Sequence, residues 1–371
     1  MGECLKTLYV PAPRKLDRYR DGDYLYSFQL QKLQDYSPEL KTVRSKSLLF
    51  DLRFYTRLAL TLGRRRIHLP VPRKWAWKLS EFYRMPSAGP EIERADGILA
   101  YERYPVNADR PVIWIAGALD IEKMRRRGSP EREIQEEMDF KREANAKAAA
   151  TVLTTYSKKR LFDEAVRPSK PTQVIPFLQP IEPIVADDFV AKWRTVPPIK
   201  LLFIGRAAKR KGLPLALEAY KILQRRYPGK VTMHVVSTLQ DGFVEIPELP
   251  GLVHEPRVSH ARAIGMMATS HYLLMPSEFE EYGWVYIEAM AQGTIPLAAD
   301  SATQRELLDE GRAGWLVTRN AEAIVEAVAS GIEAPDSARA LAYRALEHWR
   351  TRYAPEIIAK QFAALAHSSL G

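Results

Sequence analysis

The sequence contains a single cysteine and no long apolar run. Cys4 stands alone among 371 residues, so the chain can form neither an intramolecular disulfide nor a thiolate cluster around a metal. No apolar stretch approaches the ~18 residues of a membrane-spanning helix, and the first residues lack the basic-then-apolar layout of a secretion signal. We therefore expect a cytoplasmic protein, with peripheral contact at the inner face of a membrane left open.

Motifs for binding metals or nucleic acids are also missing. The seven histidines are scattered and show no ligand-like cluster, so we expect no metal site. No helix-turn-helix, zinc-finger or RNP pattern accompanies the basic residues, which argues against sequence-specific binding to nucleic acid. The composition, 46% hydrophobic and 27% charged, is that of a folded globular protein, and the length predicts two domains at roughly 150 residues each.

Basic residues are in excess only in the first half of the chain. The formal net charge is +10. Residues 1–185 carry 34 basic and 24 acidic side chains, whereas residues 186–371 carry 21 of each. This one-sided charge predicts attraction of the first half to an anionic partner such as a membrane surface. The alternative is a solvated basic surface without a partner.

Short apolar runs alternate with amphipathic stretches along the second half. We predict strands at 200–204, 231–236, 272–275, 294–299 and 314–317. Helices are predicted at 213–226, 260–269, 284–292, 304–309 and 321–330. This alternation is typical of a doubly wound parallel sheet. Because the first half shows a weaker version of the same pattern, the sequence predicts an α/β protein with two Rossmann-like domains.

A proline-rich segment at 171–183, expected to be poor in regular structure, marks the predicted junction between the domains. We place the first domain at 1–180 and the second at 181–353. A last amphipathic helix at 354–371 is expected to pack back on the first domain. The strands expected in the first domain are 6–10, 47–50 or a neighbour, 66–69, 97–101, 111–115 and 149–154.

A basic turn between two glycines follows the first strand of the second half. Gly205 and Arg206 leave the strand, and Lys211 and Gly212 precede the next helix. Ligands of open parallel sheets bind outside the carboxyl ends of the strands, and two cations beside a helix start form a plausible grip for a diphosphate. Alone this turn is weak evidence, because lysine and arginine often decorate such turns.

Two glutamates eight positions apart follow the strand at 272–275. Glu280 is expected in the loop before a helix that Gly283 opens, and Glu288 inside that helix among apolar residues. A carboxylate on a mostly apolar helix must be hydrogen-bonded, and vicinal sugar hydroxyls are suitable donors. The backbone N–H groups near Gly283 and Trp284 are expected to point at an anion.

Taken together, these motifs resemble the retaining glycosyltransferases of family 4, which have the GT-B fold. The resemblance rests on Gly205-Arg206 with Lys211-Gly212, on the two glutamates with seven residues between them, and on Glu288-Ala289-Met290-Ala291 followed by Gly293. It covers roughly residues 199–320. The GT-B fold implies two Rossmann-like doubly wound domains that face each other across a cleft.

The resemblance implies a role for each matching residue in binding a nucleotide-sugar donor. Arg206 and Lys211, beside Gly205, would bind the diphosphate and neutralise charge on the leaving nucleotide. Glu280 would contact hydroxyls of the donor sugar, and Glu288 would hold the ribose.

Other residues of the second half would surround the nucleotide. The backbone of Tyr282, Gly283 and Trp284 would face the phosphate. Arg257 and Val258 follow a short strand and are weaker candidates for contact with the base. No cofactor or metal is implied, since the co-substrate is a nucleotide-diphosphate sugar, of the UDP or GDP type.

The first half departs from the family pattern. The turn after its first strand, Pro11-Ala12-Pro13-Arg14-Lys15, has no glycine, and Ala116 stands where many members have a histidine. Asp120 is a substitute candidate for a catalytic contact with donor sugar or acceptor, although a loop or capping role is the simpler interpretation.

The function implied by the resemblance is transfer of a hexose, with retained anomeric configuration, to a glycan or lipid-linked acceptor in surface polysaccharide biosynthesis. A small molecule, a protein or nucleic acid could replace that acceptor. The chain could instead be a catalytically silent nucleotide-sugar-binding module, or a phosphorylase on the same fold.

Overall fold

The chain is divided between two units, each with its own parallel sheet. The structure is a computed structural model that describes residues 6–10, 30, 32–43, 94–101, 110–117, 121–126, 128–194, 198–239, 242, 244–280 and 282–370. The first unit comprises residues 1–180 and 355–371, and the second comprises residues 181–354. Both sheets pair their strands in parallel throughout the described residues.

The first sheet has six described strands in the order β2-β1-β3-β4-β5-β6. They are β1 (Lys6–Tyr9), β2 (Leu40–Val43), β3 (Gly97–Tyr101), β4 (Val112–Ile115), β5 (Ala150–Leu153) and β6 (Thr172–Val174). All four residues of both β4 and β5 are buried, as expected for strands covered on both faces of a parallel sheet. Trp114 on β4 packs edge-on against Phe162, with ring centroids 6.1 Å apart, and both side chains lie in the core of this unit.

The second sheet also has six described strands, in the order β12-β11-β10-β7-β8-β9. They are β7 (Ile199–Ile204), β8 (Val231–Val236), β9 (Leu252–Glu255), β10 (Tyr272–Met275), β11 (Ile295–Ala299) and β12 (Trp315–Val317). Counted from β7, this is the 3-2-1-4-5-6 order of a Rossmann sheet, whose strand order reverses between β7 and β10. At this reversal the loops after β7 and β10 lead in opposite directions, which leaves room for a ligand between them.

Helices connect the strands in both units. The described helices of the first unit are α1 (Leu33–Tyr36), α2 (Ile121–Arg126), α3 (Glu131–Lys147), α4 (Tyr156–Val166) and α13 (Pro355–Ser369). Those of the second unit are α5 (Ala186–Arg194), α6 (Ala208–Lys211), α7 (Leu213–Arg226), α8 (His260–Thr269), α9 (Trp284–Ala291), α10 (Ala302–Leu307), α11 (Ala321–Glu333) and α12 (Pro335–Arg352).

The last helix, α13, belongs to the first unit. It contacts α1 and β1, and it buries Ile358, Phe362 and Leu365. Just beyond it, Leu370 packs on Gly97, where an added Cβ would lie 2.8 Å from the leucine Cδ1. The helix therefore completes the core of the unit that begins the chain.

Several elements differ from the sequence-based prediction. β6 lies within the segment 171–183, which we expected to lack regular structure. The predicted strands at 47–50 and 66–69 fall outside the described residues, while β2 at Leu40–Val43 pairs with β1. The helix expected at 304–309 is α10, which ends at Leu307 and is followed by a 3-10 turn. Helix α12 was not predicted at all.

A buried ammonium group joins α5 to the ends of two other helices. Lys192 Nζ donates hydrogen bonds to the carbonyl oxygens of Met267 (3.2 Å) and Gln292 (3.0 Å) and to Thr294 Oγ1 (2.8 Å). Met267 and Gln292 lie at the C-terminal ends of α8 and α9, where carbonyl groups carry partial negative charge. Lys192 thereby holds the C-terminal ends of α8 and α9 together.

Burial holds His271 in its neutral form. Its Nδ1 accepts from the Lys200 N–H at 3.0 Å, and its Nε2 lies 3.1 Å from the Lys192 carbonyl oxygen. Desolvation, with the nearby Lys192 charge, lowers the pKa of His271 to about 4. Because an unfolded chain takes up this proton near pH 6.5, the folded state loses stability as the pH falls from 6.5 to 4.

We expect this loss to total roughly 3 kcal/mol of unfolding free energy for the second unit. Urea unfolding at pH 7, 5.5 and 4 measures it. A His271→Gln variant cannot take up the proton, so its stability should vary less over the same range. Parallel pH profiles in the two proteins would contradict the assignment.

Candidate active site

The candidate site lies where the strand order of the second sheet reverses. The turn after β7 contains Gly205 and Arg206 and leads into α6 and Gly212. The loop after β10 runs from Pro276 to Gly283 and leads into α9. Because β7 and β10 are parallel neighbours, both loops leave the same edge of the sheet, at the position where such sheets bind ligands.

An ion pair connects the two loops. Lys211 Nζ contacts Glu280 Oε1, although the residues are 69 positions apart. Their side chains are only 16% and 7% exposed. Ser277 Oγ donates to the same carboxylate oxygen at 2.9 Å. The structure thus brings together two residues that the motifs had singled out separately.

The electrostatic surroundings of Lys211 are strongly basic. Burial lowers the pKa of Lys211, and Glu280 opposes this effect, while the cations of Arg210 and Arg206 lower the pKa further. The described groups that shift the pKa of Lys211 are therefore two further cations and one carboxylate, and the charge around Lys211 is positive. Such a site attracts an anion with more than one negative charge.

Arg210 holds the loop after β10 in place. Its Nη1 donates to the Phe279 carbonyl at 2.6 Å, and its own carbonyl accepts from the Glu278 N–H at 2.9 Å. Arg319 Nε also donates to the Pro276 carbonyl in this loop, at 3.2 Å. Our sequence analysis missed these positioning residues, although Arg210 stands in the basic run Lys209-Arg210-Lys211.

Both glycines of the basic turn are closely packed. A Cβ on Gly205 would lie 3.0 Å from Lys211 Cγ, so a side chain there would push the lysine away. Gly212 has φ +84°, and its Cβ would lie 2.6 Å from the Pro276 carbonyl oxygen. The turn after β7 can approach the loop after β10 this closely only with glycine at position 212.

Helix α9 begins at the same edge with its N-terminus uncapped by any side chain. Gly283 is its N-cap residue, with φ +87°, and a Cβ there would lie 2.6 Å from the ring of Tyr286. The Tyr286 hydroxyl donates to the Met275 carbonyl at 2.7 Å, which anchors the helix on β10. The rings of Tyr282 and Trp284 meet edge-on at 5.3 Å. The first turn contains no acidic side chain, so its partial positive charge is available to an anion.

Glu288 lies in the second turn of α9, with its side chain 15% exposed. As expected for a carboxylate on an apolar helix, it has a hydrogen-bonding partner, but that partner is one the sequence did not indicate. His260 Nε2, at the start of α8, lies 2.9 Å from Glu288 Oε1.

Three other residues were predicted as part of the site. Arg257 and Val258 lie in the segment between β9 and α8, and Arg257 is exposed. Asp120 falls outside the described residues. Within the described ranges, no three His, Cys, Asp or Glu side chains are close enough to hold a metal ion. No helix in the same ranges is both long and apolar enough to cross a membrane.

The family model described as glycosyl transferases group 1 matches residues 198–333. The resemblance to GT-B glycosyltransferases is confirmed. The matched segment contains β7 to β12 and both loops of the candidate site.

Curated relatives match part of the chain. A protein in the cps region of Klebsiella pneumoniae is 30% identical over 130 residues, which is 34% of this chain and 35% of that protein. A glycogen synthase of Mycobacterium tuberculosis is 26% identical over 157 residues, 41% of this chain and 38% of its own length. The lipopolysaccharide core mannosyltransferase LpcC of Rhizobium leguminosarum is 36% identical over 97 residues, which is 26% of this chain and 28% of that protein. The matches therefore span about a third of these relatives' lengths.

Solved structures match the chain over nearly its whole length. Anabaena Alr3699/HepE in complex with UDP and glucose has a TM-score of 0.63 at 16% identity, with 98% of this chain and 100% of that chain covered. Sucrose-phosphate synthase from Thermosynechococcus elongatus has a TM-score of 0.60 at 15% identity, with 98% of both chains covered. The chain thus has the GT-B fold, with two parallel sheets flanked by helices.

Proposed function

We propose that the protein is a retaining glycosyltransferase that transfers a hexose from a nucleotide-diphosphate sugar to a glycan or lipid-linked acceptor. The observation that carries this proposal is the ion pair between Lys211 and Glu280 at the strand-order reversal, beside the open N-terminus of α9. Support for a nucleotide-sugar donor comes from Alr3699/HepE, whose structures contain UDP and UDP-glucose.

Each residue of the site receives a role in this proposal. Lys211 and Arg206 bind the donor's diphosphate, and the small Gly205 lets the backbone approach it. The first turn of α9 faces the same phosphates. Glu280 accepts hydrogen bonds from hydroxyls of the donor sugar, and Glu288 accepts them from the ribose.

The proposed reaction exchanges one bond at the anomeric carbon. The bond between that carbon and the phosphate oxygen breaks, while the acceptor oxygen bonds to the carbon from the same face. The acceptor's proton moves to the leaving phosphate oxygen. Charge therefore accumulates on the departing diphosphate, where fixed cations and helix dipoles stabilise it without reorganisation. Since Arg206 and Lys211 supply this positive charge, we propose that transfer needs no metal.

The acceptor is proposed from the relatives. One of them lies in a cps region and another is a lipopolysaccharide core mannosyltransferase, which favours surface polysaccharide biosynthesis over a small-molecule or protein acceptor. The donor is proposed to be of the UDP or GDP type. Arg257 and Val258 are the proposed contacts to its base.

A thermal-shift screen against UDP, GDP, ADP and CMP, each with and without an attached sugar, tests the donor site. A ligand at 100 times its dissociation constant adds about 2.7 kcal/mol to native stability and raises the melting temperature by several degrees. We expect one nucleotide to raise the melting temperature more than the others, and to lose this effect in Glu288→Ala.

Hydrolysis of the corresponding sugar donor tests for catalysis. An enzyme is expected to hydrolyse the donor slowly, at a rate unchanged by EDTA. Binding without hydrolysis would indicate a silent module, and phosphate-dependent cleavage a phosphorylase.

We also propose peripheral contact of the basic first half with anionic membranes. Attraction of this kind weakens as salt screens the charges. Sedimentation with vesicles containing phosphatidylglycerol should therefore retain the protein at 50 mM salt and release it at 500 mM. Equal retention at both salt concentrations, or none at either, would remove the proposal.

A further inference from the structure

The pairing of His260 with Glu288 joins two helices at the ligand edge of the second sheet. His260 is the first residue of α8, which follows the carboxyl end of β9, and Glu288 is on α9, which follows the carboxyl end of β10. The Nε2 and Oε1 atoms are 2.9 Å apart. The two side chains differ in burial, since the imidazole is 62% exposed and the carboxylate 15%.

The position of His260 is fixed by the start of its helix. Ser259 is the N-cap of α8, and its side-chain oxygen accepts from the Arg262 N–H at 3.2 Å. A capped first turn holds the backbone of the next residue, and with it the position of the His260 Cα and Cβ atoms. At its other end α8 is held by the bond from Lys192 to Met267.

The direction of the hydrogen bond follows from the chemistry of the two groups. An ionised carboxylate only accepts, so the imidazole must carry its proton on Nε2 and donate. A carboxylate offers about four lone-pair positions on two oxygens. One bond from His260 therefore leaves capacity for two vicinal hydroxyl groups, while it restricts rotation of the carboxylate.

The pair contributes little to packing. The imidazole is exposed, and ion pairs open to solvent contribute little to folding stability. Glu288 has apolar neighbours along its own helix, with Ile287 and Ala289 both buried. His260 is thus the polar partner by which the structure orients this carboxylate.

We propose that His260 is a positioning residue that holds the Glu288 carboxylate in the orientation that accepts the ribose hydroxyls of a nucleoside diphosphate. This inference rests on the proposed function, in which Glu288 binds the ribose. It extends that function by making discrimination between ribonucleotides and deoxyribonucleotides depend on a residue of a neighbouring helix.

Calorimetric titration tests the proposal by comparing the affinities for UDP and 2′-deoxy-UDP. If the thermal-shift screen selects GDP, the pair compared is GDP and 2′-deoxy-GDP. A hydrogen bond to a charged group corresponds to about 10- to 100-fold in affinity. We expect the wild-type protein to prefer the ribonucleotide by about that factor. In His260→Ala this preference should shrink about 3- to 10-fold, mainly through weaker ribonucleotide binding. His260→Gln keeps a donor and should restore most of the preference.

Two further variants separate the possible outcomes. Arg262→Gln removes a neighbouring side chain of α8 that bonds to Glu255 instead, and it should leave the preference unchanged. Glu288→Ala removes both acceptor oxygens and should abolish the preference. An unchanged preference in His260→Ala, or equal losses for both nucleotides, would overturn the role of His260 while the donor site stands. An unchanged preference in Glu288→Ala would overturn the ribose assignment itself.

Discussion

Replacement of Lys211 by methionine is expected to slow hydrolysis of the sugar donor by about 100- to 1000-fold, the range seen when one preorganised group that stabilises developing charge is removed. Methionine keeps the apolar stem that packs on Gly205 but removes the ammonium group. Glu280 then remains as a nearly buried carboxylate without its ion-pair partner, and its charge repels the incoming diphosphate. Nucleotide affinity should therefore fall together with kcat.

The neighbouring Lys209 provides a matched control for Lys211. It lies on the same helix α6 and its side chain is exposed. Lys209→Met removes the same formal charge and should change the hydrolysis rate by less than about threefold, because long-range effects of exposed charges are screened by salt. Steady-state kinetics and calorimetric binding of the product nucleotide measure both variants. Wild-type turnover in Lys211→Met would exclude Lys211 from the reaction.

Replacement of Gly212 by alanine should destabilise the second unit by about 3 kcal/mol. A left-handed backbone costs a residue with a Cβ roughly 1 to 2 kcal/mol, and overpacking adds about 1 to 3 kcal/mol. The clash is with the backbone carbonyl of Pro276, which cannot move without shifting the loop that contains Glu280. We therefore expect lost nucleotide binding in the fraction that stays folded.

Gly229 separates these two costs experimentally. It has φ +72°, but no atom lies within 4 Å of an added Cβ. Gly229→Ala should thus show only the backbone cost, about 1 kcal/mol, with nucleotide binding intact. Urea unfolding and calorimetry compare the two alanine variants. Equal losses in both would mean that the approach of Gly212 to Pro276 has no special role.

In both sheets the sequence predicted the buried strands better than the short, partly exposed strands β2 and β6, for a physical reason. Strands buried on both faces read as continuous apolar runs, and Tyr272–Met275 was predicted with its observed bounds. The three residues of β6 are too few to establish a period. Helix α12 did carry a signal, since its buried residues recur at helical spacing (Ala338, Leu341, Ala342, Ala345, Leu346 and Trp349), but its many charged residues obscured it.

In the candidate site, local motifs could be predicted from the sequence, but contacts between residues far apart in the chain could not. The spacing of Glu280 and Glu288 and the basic turn around Lys211 pointed to the two loops at the strand-order reversal. No local pattern shows that Lys211 meets Glu280, or that a histidine 28 positions before Glu288 is its partner. Such pairs depend on which strands are neighbours, and that order is set only by the folded sheet.

Helix α13 has a consequence for how the chain folds during synthesis. The N-terminal unit leaves the ribosome with the surfaces of α1 and β1 uncovered, because the helix that packs on them is translated after the whole second unit. At typical rates of ~5 to 20 residues per second, the 174 residues from 181 to 354 take roughly 10 to 35 s to translate. The second unit, continuous in sequence, can therefore reach its native state before the unit that precedes it.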